Sequence, residues 1–242
     1  MKTIMRFLFK STLLVSLLVL YTHSLQATWS IIAVDRTTGE IGIAGASCTF
    51  DVSGIASIVP RRGAIVVQAQ SSYFARMRGV DFMSNDASVD EILAQMKAPE
   101  FDPELQQYGV VVLDKETTPL VYSGNQIADW SGEQSGQDFA VLGNILVGKA
   151  VIEEAFNAFN ENRDKSLSER LMLSLKAGEQ AGGDSRCGTQ YARSAFLMVY
   201  QPTDDAITKL AIQGLEPGGK PAVSLLDEKF RLWRKEENRK KG

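Results

Sequence analysis

The stretch HSLQATWSIIAVDRTTGEIGIAGAS, residues 23–47, decides the fold, because an export-like segment ends there and a strand-like segment begins. Its runs TWSIIAVD and EIGIAGAS consist mainly of β-branched, aromatic and small apolar residues, and TTGE at 37–40 provides a turn between them. This pattern predicts an antiparallel hairpin that begins at Thr28. Since nearly every position of both strands is apolar, we expect a sheet that is covered on both faces.

The residues before Thr28 have the pattern of an export signal. Lys2, Arg6 and Lys10 precede an apolar run over residues 11–21, and a short polar segment then ends in Ala27. The run is too short to cross the roughly 30 Å hydrocarbon core of a bilayer. We therefore predict a cleaved secretory signal peptide over residues 1–27, one domain over residues 28–242, and a periplasmic or secreted protein without stable membrane association. An uncleaved anchor is the alternative.

Charge and histidine content exclude several classes of function. The predicted mature chain carries 23 basic and 29 acidic residues, and this acidic balance argues against nucleic acid binding. The only histidine, His23, lies in the predicted signal, so the mature chain has none. This excludes Ser/His/Asp and Cys/His nucleophilic sites as well as histidine metal sites. We expect neither a metal nor a cofactor.

The chain contains two cysteines, Cys48 and Cys187. An oxidising compartment would allow them to form a disulfide, but the sequence alone does not bring their Cα atoms within the required distance of about 4.4–6.8 Å. The two residues are 139 positions apart and form no CxxC motif, which argues against a thiol redox protein.

Hydrophobic periodicity predicts further strands and helices, and elements of the same type tend to follow one another in pairs. Two predicted helices, 88–97 and 166–182, begin with Ser-x-x-Glu capping boxes. The other predicted elements are strands at 55–60, 64–70, 109–113, 120–122, 139–142 and 192–200, and helices at 73–84, 147–160 and from about 221 onwards. Paired strands followed by paired helices favour an α+β fold with antiparallel sheets over alternating βαβ units.

Thr28 is the candidate nucleophile. A threonine hydroxyl attacks poorly unless a neighbouring base takes its proton. An N-terminal threonine supplies that base itself, because its free α-amine titrates near about 7.7–8.0. Cleavage after Ala27 would thus create nucleophile and base on one residue of a chain without histidine. At such a terminus we expect Thr28 to be accessible to solvent and to contribute little packing.

Four stretches carry a family resemblance in chain order: TWSIIAVDRTTGEIGIAGAS, GAIVVQAQ, FAVLGNILVG, and AGGDSRCG followed by SAFLMVY. Over nearly its whole length the mature chain resembles the bacterial family DUF1028, which is placed in the N-terminal nucleophile (Ntn) hydrolase superfamily. The resemblance implies a four-layer αββα sandwich with two antiparallel sheets packed between helices. It also implies amide hydrolysis through an acyl ester on Thr28, with an unidentified small-molecule or peptide amide as the substrate.

Two further groups of candidates follow from their position in the sequence. Gly143 and Asn144 lie between a predicted strand and a predicted helix start, where backbone NH groups and an amide could hold an oxyanion. A turn Asn in a left-handed conformation is the alternative. Asp184, Ser185 and Arg186 follow a glycine helix stop and could orient the Thr28 amine or clamp a substrate carboxylate. An internal ion pair with a helix cap is the alternative for this group.

Gln68 and Ser47 complete the candidate site. Gln68 is polar in the otherwise apolar AIVVQAQ strand and matches a family position, so it faces either the site or solvent. Ser47 ends the second strand, close to where that strand pairs with Thr28. The better known peptidases of the superfamily use a lysine and an aspartate near the terminal threonine, and EIGIAGAS offers no aspartate. A non-catalytic periplasmic binding or scaffold protein is therefore the alternative function, and the formation of a homo-oligomer stays open.

Overall fold

The computed structural model describes residues 27–113, 117–127 and 129–241. The predicted signal peptide lies outside these residues, apart from Ala27. The described chain is a mixed α+β protein with two antiparallel sheets and flanking helices. The strands are β1 Thr28–Asp35, β2 Glu40–Ser47, β3 Ala56–Val59, β4 Gly63–Ala69, β5 Gln106–Val112, β6 Leu120–Ser123, β7 Ser131–Ser135, β8 Phe139–Asn144, β9 Ser194–Gln201 and β10 Ala206–Ile212. The helices are α1 Tyr73–Ser84, α2 Val89–Met96, α3 Ala150–Glu161, α4 Leu167–Gln180 and α5 Ala222–Lys241.

The predicted first hairpin is confirmed, with β1 and β2 paired antiparallel from Thr28↔Ser47 to Asp35↔Glu40. The hairpin lies at the centre of a six-stranded sheet of order β10-β9-β2-β1-β8-β7. The second sheet has the order β3-β4-β5-β6. Strands β7 and β10 were not predicted from the sequence, and they are the two edge strands of the larger sheet. Edge strands are half exposed and lack a continuous apolar pattern, so periodicity does not detect them.

Alternating side chains of the sheets divide the core into three parts. Ile32, Leu142 and Phe196 of the larger sheet pack with residues such as Val66 in the cluster between the two sheets. On its opposite face the larger sheet contacts α3, α4 and α5 through a cluster that includes Trp29. The smaller sheet packs its other face against α1 and α2. Strands such as β1 and β4 thus contribute to two clusters through their period of two residues.

Glu179 on α4 is a buried acid with an expected pH effect. Its side chain is 7% exposed, Ser224 Oγ donates to Oε2 at 3.0 Å, and Oε1 has no hydrogen-bond partner among the described residues. Burial raises the pKa of Glu179, although hydrogen bonds from Ser224 and Val223 and the charge of Lys176 oppose the shift. Because the folded-state pKa lies above the unfolded value, the free energy of unfolding falls as pH rises through the folded-state pKa.

We therefore expect Glu179→Gln to gain stability relative to the wild type as pH rises. The two proteins should unfold at similar temperatures near pH 4, where the carboxyl is mostly protonated in the unfolded wild type and burial favours its protonated form in the folded state. At pH 8 the variant should be more stable by about 1 kcal/mol, since it avoids a buried charge. Thermal unfolding followed at both pH values measures the difference. An unchanged difference between pH 4 and pH 8 would contradict the expected titration.

Candidate active site

A row of polar side chains crosses one end of the larger sheet. Strand register places five residues opposite one another from strand to strand, and we call them the end row: Ser131, Asn144, Thr28, Ser47 and Ser194. Directly opposed side chains of antiparallel strands lie on the same face. Thr28 shares this face with Ser30, whose hydroxyl donates to Gln68 Oε1 of the smaller sheet at 2.8 Å. The end row therefore faces the layer between the sheets.

Thr28 is fully buried in this row where Ala27 precedes it, and the expected accessibility of a Thr28 terminus stays a prediction. The cause is the register of the central strand. Thr28 pairs with Ser47 on one side and with Asn144 on the other, and Ala27 is itself fully buried. Where Ala27 precedes Thr28, neither residue is accessible to solvent.

Two donors converge on the carbonyl oxygen of the peptide bond that precedes Thr28. Ser47 Oγ donates a short hydrogen bond to Ala27 O. Arg186 Nη2 donates to the same oxygen at 3.3 Å. We call Ser47 and Arg186 the carbonyl clamp. A hydroxyl and a guanidinium on one carbonyl oxygen stabilise negative charge that develops there, as donors in an oxyanion hole do.

Asp184 holds the arginine of the carbonyl clamp in place. Its carboxylate is fully buried and accepts hydrogen bonds from Arg186 Nη2 at 2.8 Å and Nε at 3.1 Å. The same carboxylate accepts from the backbone NH of Cys48 at 2.6 Å and from that of Arg186 at 3.0 Å. The ion pair and the cap that the sequence allowed are thus both present, and Asp184 reaches Ala27 only through Arg186.

A disulfide joins the two segments that carry the carbonyl clamp. Cys48 and Cys187 are bonded, with their Cα atoms 5.6 Å apart. Cys48 directly follows Ser47, and Cys187 directly follows Arg186. The bond therefore links the end of β2 to the 3-10 helix Ser185–Gln190 within one residue of each clamp side chain.

Gln68 faces the site from the smaller sheet, not solvent. It is fully buried, and its Nε2 donates to Gln107 Oε1 at 2.7 Å and to Thr28 O at 3.4 Å. Gln107 Nε2 in turn donates to Ser123 Oγ at 2.8 Å. This chain of amides fixes the amide plane of Gln68 across the two sheets and holds the backbone of Thr28 at its carbonyl.

The structure places Gly143 and Asn144 inside β8 and not between a strand and a helix start. The ladder with β1 continues until Asn144 pairs with Thr28, and α3 begins only at Ala150. Gly143 pairs with Trp29, one position away from the end row, and therefore belongs to the helix side of the sheet. The Asn144 side chain is fully buried, and neither Oδ1 nor Nδ2 has a hydrogen-bond partner among the described residues. Of the two residues, only Asn144 offers a free donor next to Thr28.

Two strained backbone positions flank the site. Ala69 directly follows Gln68 and has φ 68°, and Ile145 directly follows Asn144 and has φ 53°. A left-handed conformation is costly for alanine and more so for a β-branched residue, and such strain concentrates at functional sites. Ser185 holds the second position, because its Oγ donates to Ile145 O at 2.8 Å. Its hydroxyl therefore fixes the end of β8, and no observed contact directs it to a substrate.

The structure adds site residues that the sequence analysis missed, namely Ser30, Gln107 and Ser194. Ser194 is fully buried, and its Oγ has no hydrogen-bond partner among the described residues. A signal was available, because each of the three is a polar residue on the buried face of an otherwise apolar strand. The sequence did not show the partner of Ser194, however, since the pairing of β2 with β9 joins residues far apart in the chain.

Within the described ranges, no group of three or more His, Cys, Asp or Glu side chains is arranged to hold a metal ion. No helix in the described part of the chain is long and apolar enough to span a membrane.

The fold and the site define a mixed α+β protein with a buried polar layer between two antiparallel sheets. Residues 28–217 match the model of DUF1028, described as a family of unknown function, and the chain belongs to this family. A crystal structure of a DUF1028 protein from Silicibacter pomeroyi is similar, with a TM-score of 0.73, 22% identity and coverage of 85% of each chain. At this identity the likeness concerns the fold alone. The comparison with curated proteins found no match.

Proposed function

We propose that the protein is an exported amidohydrolase of the Ntn type, in which cleavage after Ala27 turns Thr28 into an N-terminal nucleophile. The observation that carries the proposal is the carbonyl clamp on the acyl group attached to Thr28. Ser47 and Arg186 bind the oxygen of a carbonyl whose carbon lies beside the Thr28 side chain. A substrate carbonyl that takes the place vacated by Ala27 meets the same two donors.

The reaction needs no group beyond Thr28 to start. The α-amine takes the hydroxyl proton while Oγ bonds to the substrate carbonyl carbon, and the negative charge moves to the carbonyl oxygen. Breakage of the C–N bond then releases the amine, which takes the proton from the α-ammonium, and leaves an acyl ester on Thr28. Water attacks this ester and gives its proton to the α-amine. The acid leaves, and the hydroxyl is restored.

The residues around Thr28 have different roles in the proposed hydrolysis. Arg186 and Ser47 stabilise the oxyanion, and Asp184 holds the guanidinium in its orientation. The unpartnered Asn144 amide is a third donor at the cross-strand position of Thr28. Gln68 fixes the Thr28 backbone from the smaller sheet. Removal of one oxyanion donor from a hydrolase typically lowers the rate by about 10²–10³-fold, which sets the scale for these residues.

The arrangement of elements supports the same proposal. The three apolar clusters lie between the sheets and beneath the helices on each side, as a four-layer αββα sandwich of the Ntn type requires. The match to the family model begins at Thr28, the residue that the proposed cleavage exposes. The nucleophile would then start a central strand, flanked by β2 and β8.

The test is the covalent state of the exported protein. We expect its intact mass to begin at Thr28, and a β-lactone probe to form one ester adduct that peptide mapping assigns to Thr28. A panel of N-acyl amino acids and short peptides, screened for release of amine, then identifies the substrate class. A different first residue would contradict the proposed base. The correct first residue without adduct or turnover would favour the binding or scaffold protein instead.

A further inference from the structure

A cavity of about 340 Å³ lies at the same end of the sheets as Thr28. Asp51, Gly54, Ile55, Ser71, Tyr73 and Arg76 line it. These residues belong to the segments that follow β2 and β4, the strands that end in Ser47 and carry Gln68. Ser71 is three residues beyond Gln68, so the two Cα atoms are at most about 11 Å apart. The cavity is therefore within the reach of a short ligand bound at Thr28.

Arg76 brings a positive charge into this cavity without a matching carboxylate. Its Nη1 donates to Ser57 Oγ at 2.6 Å and to Ala56 O at 3.2 Å, both of which are neutral acceptors. Its Nε is buried and has no hydrogen-bond partner, and no ion pair of Arg76 occurs among the described residues. Burial lowers the pKa of Arg76, as expected for a guanidinium that has lost water without gaining an anion.

Asp51, the acidic residue of the same cavity, is occupied by other groups. Its Oδ1 accepts from the backbone NH of Ser53 at 2.8 Å. Burial acts to raise the pKa of Asp51, but hydrogen bonds from Ser53 and Gln213 and the charge of Lys209 outweigh it and lower the pKa. Asp51 is therefore an ionised carboxylate that is stabilised by groups other than Arg76.

Aromatic side chains complete the cavity and its surroundings. The guanidinium carbon of Arg76 lies 5.4 Å from the centre of the Tyr73 ring, which orients the cation against the ring face. Tyr73 is 60% exposed and its neighbour Phe74 is 73% exposed, although both are large apolar groups. Exposed aromatic rings beside a cation are typical of a surface that binds a ligand.

Another cavity, of about 220 Å³, contains three arginines and offers a comparison for Arg76. It lies at the opposite end of β1 and contains Arg36, Arg163 and Arg170. There Arg36 is paired with Asp138 at 2.7 Å, and Asp35 also lines the cavity. Two carboxylates of the protein thus line that cavity and one of them pairs with an arginine, whereas no carboxylate pairs with Arg76 among the described residues.

We infer that Arg76 binds a carboxylate of the substrate, so that the protein acts on short peptide-like amides with a free C-terminal carboxylate. The inference rests on the proposed function for the position of the scissile bond, but not for the binding of the carboxylate. The planar guanidinium of Arg76, which lines the cavity, suits a carboxylate in two-point contact. An aromatic last residue would lie against Tyr73. A ligand of about three extended residues spans the separation of at most about 11 Å between Gln68 and Ser71.

Calorimetry with two peptides tests this inference in the exported Thr28→Ala protein, which cannot consume them. N-acetyl-dialanyl-phenylalanine should bind at least about tenfold more tightly than its C-terminal amide, a difference of about 1.4 kcal/mol. Arg76→Gln should abolish that preference, and Arg76→Lys should restore part of it. Arg78→Gln is the matched control, because Arg78 is an exposed arginine on the same helix. It should leave the preference unchanged.

A measurement on the intact arginine covers the case in which Arg76→Gln fails to fold. The NMR resonance of Arg76 Nε–H should shift on addition of the acid peptide and not on addition of the amide. Equal binding of the two peptides, binding of neither, or an equal loss in Arg78→Gln would overturn the inference. Thr28 labelling without carboxylate preference would refute this inference alone. Carboxylate preference without labelling would refute the proposed hydrolysis and leave the binding site intact.

Discussion

Replacement of Thr28 by valine should lower the rate of β-lactone labelling by about 10³-fold or more, which corresponds to about 4 kcal/mol of activation free energy. Valine keeps the shape of threonine but replaces the hydroxyl by a methyl group, so it removes the nucleophile and leaves the packing of the end row nearly unchanged. Thr28→Ser should retain labelling within about tenfold, because it keeps both the hydroxyl and the α-amine.

The controls for this series follow from the burial of Thr28. Intact mass must show that each variant is cut after Ala27, since an unprocessed chain would lack the base for another reason. Thr28→Ala would leave a small cavity in the end row and is therefore a weaker control than valine. Labelling of the valine variant at the wild-type rate would place the nucleophile elsewhere and end the proposal.

Replacement of Arg186 by methionine should cost about 3 kcal/mol of unfolding free energy and slow the labelling of Thr28 by at least about tenfold. The stability cost arises because the fully buried Asp184 carboxylate would keep two backbone NH donors but lose its cation. The kinetic cost arises because the carbonyl clamp would lose its charged member. Urea unfolding and the labelling rate measure the two effects separately.

A double variant separates the two roles of Arg186. Arg186→Met combined with Asp184→Asn should recover more than half of the lost stability, since no unpaired carboxylate remains, but the slow labelling should persist. Arg61→Met is the matched control, because the Arg61–Asp205 pair is exposed, with side chains 69% and 55% accessible. It should change the unfolding free energy by less than about 0.5 kcal/mol. A double variant with wild-type labelling would assign Arg186 a purely structural role.

The local parts of this structure were predictable from the sequence. The β1–β2 hairpin has a turn and two apolar runs of equal length, and these fix its register and place Ser47 opposite Thr28. The helix α1 was predicted with the bounds that it has in the structure. In both cases, the determining interactions lie within about 20 residues of one another, so pattern and propensity suffice.

The assembly of the site depends on contacts that no local pattern encodes. Ser194 joins the end row only because β9 pairs with β2, and Gln107 contacts Gln68 only through the pairing of β5 with β4. The cluster Asp184–Arg186 was predicted as polar and functional, but its partner, Ala27 O, is 159 positions away. The sequence did not identify Arg76 as a site residue, because an arginine in a helix is ordinarily a solvated surface charge.

The disulfide between Cys48 and Cys187 can form only after most of the chain has been synthesised. Synthesis proceeds from the N-terminus, so Cys48 emerges while its partner is still untranslated, and α1 to α4 must all be made before the bond can close. A chain truncated before residue 187 would contain the whole β1–β2 hairpin but would lack the disulfide that links the Arg186 segment to it. Attachment of the Arg186 segment to the end of β2 is thereby tied to completion of the polypeptide through Cys187, seven residues before β9 begins.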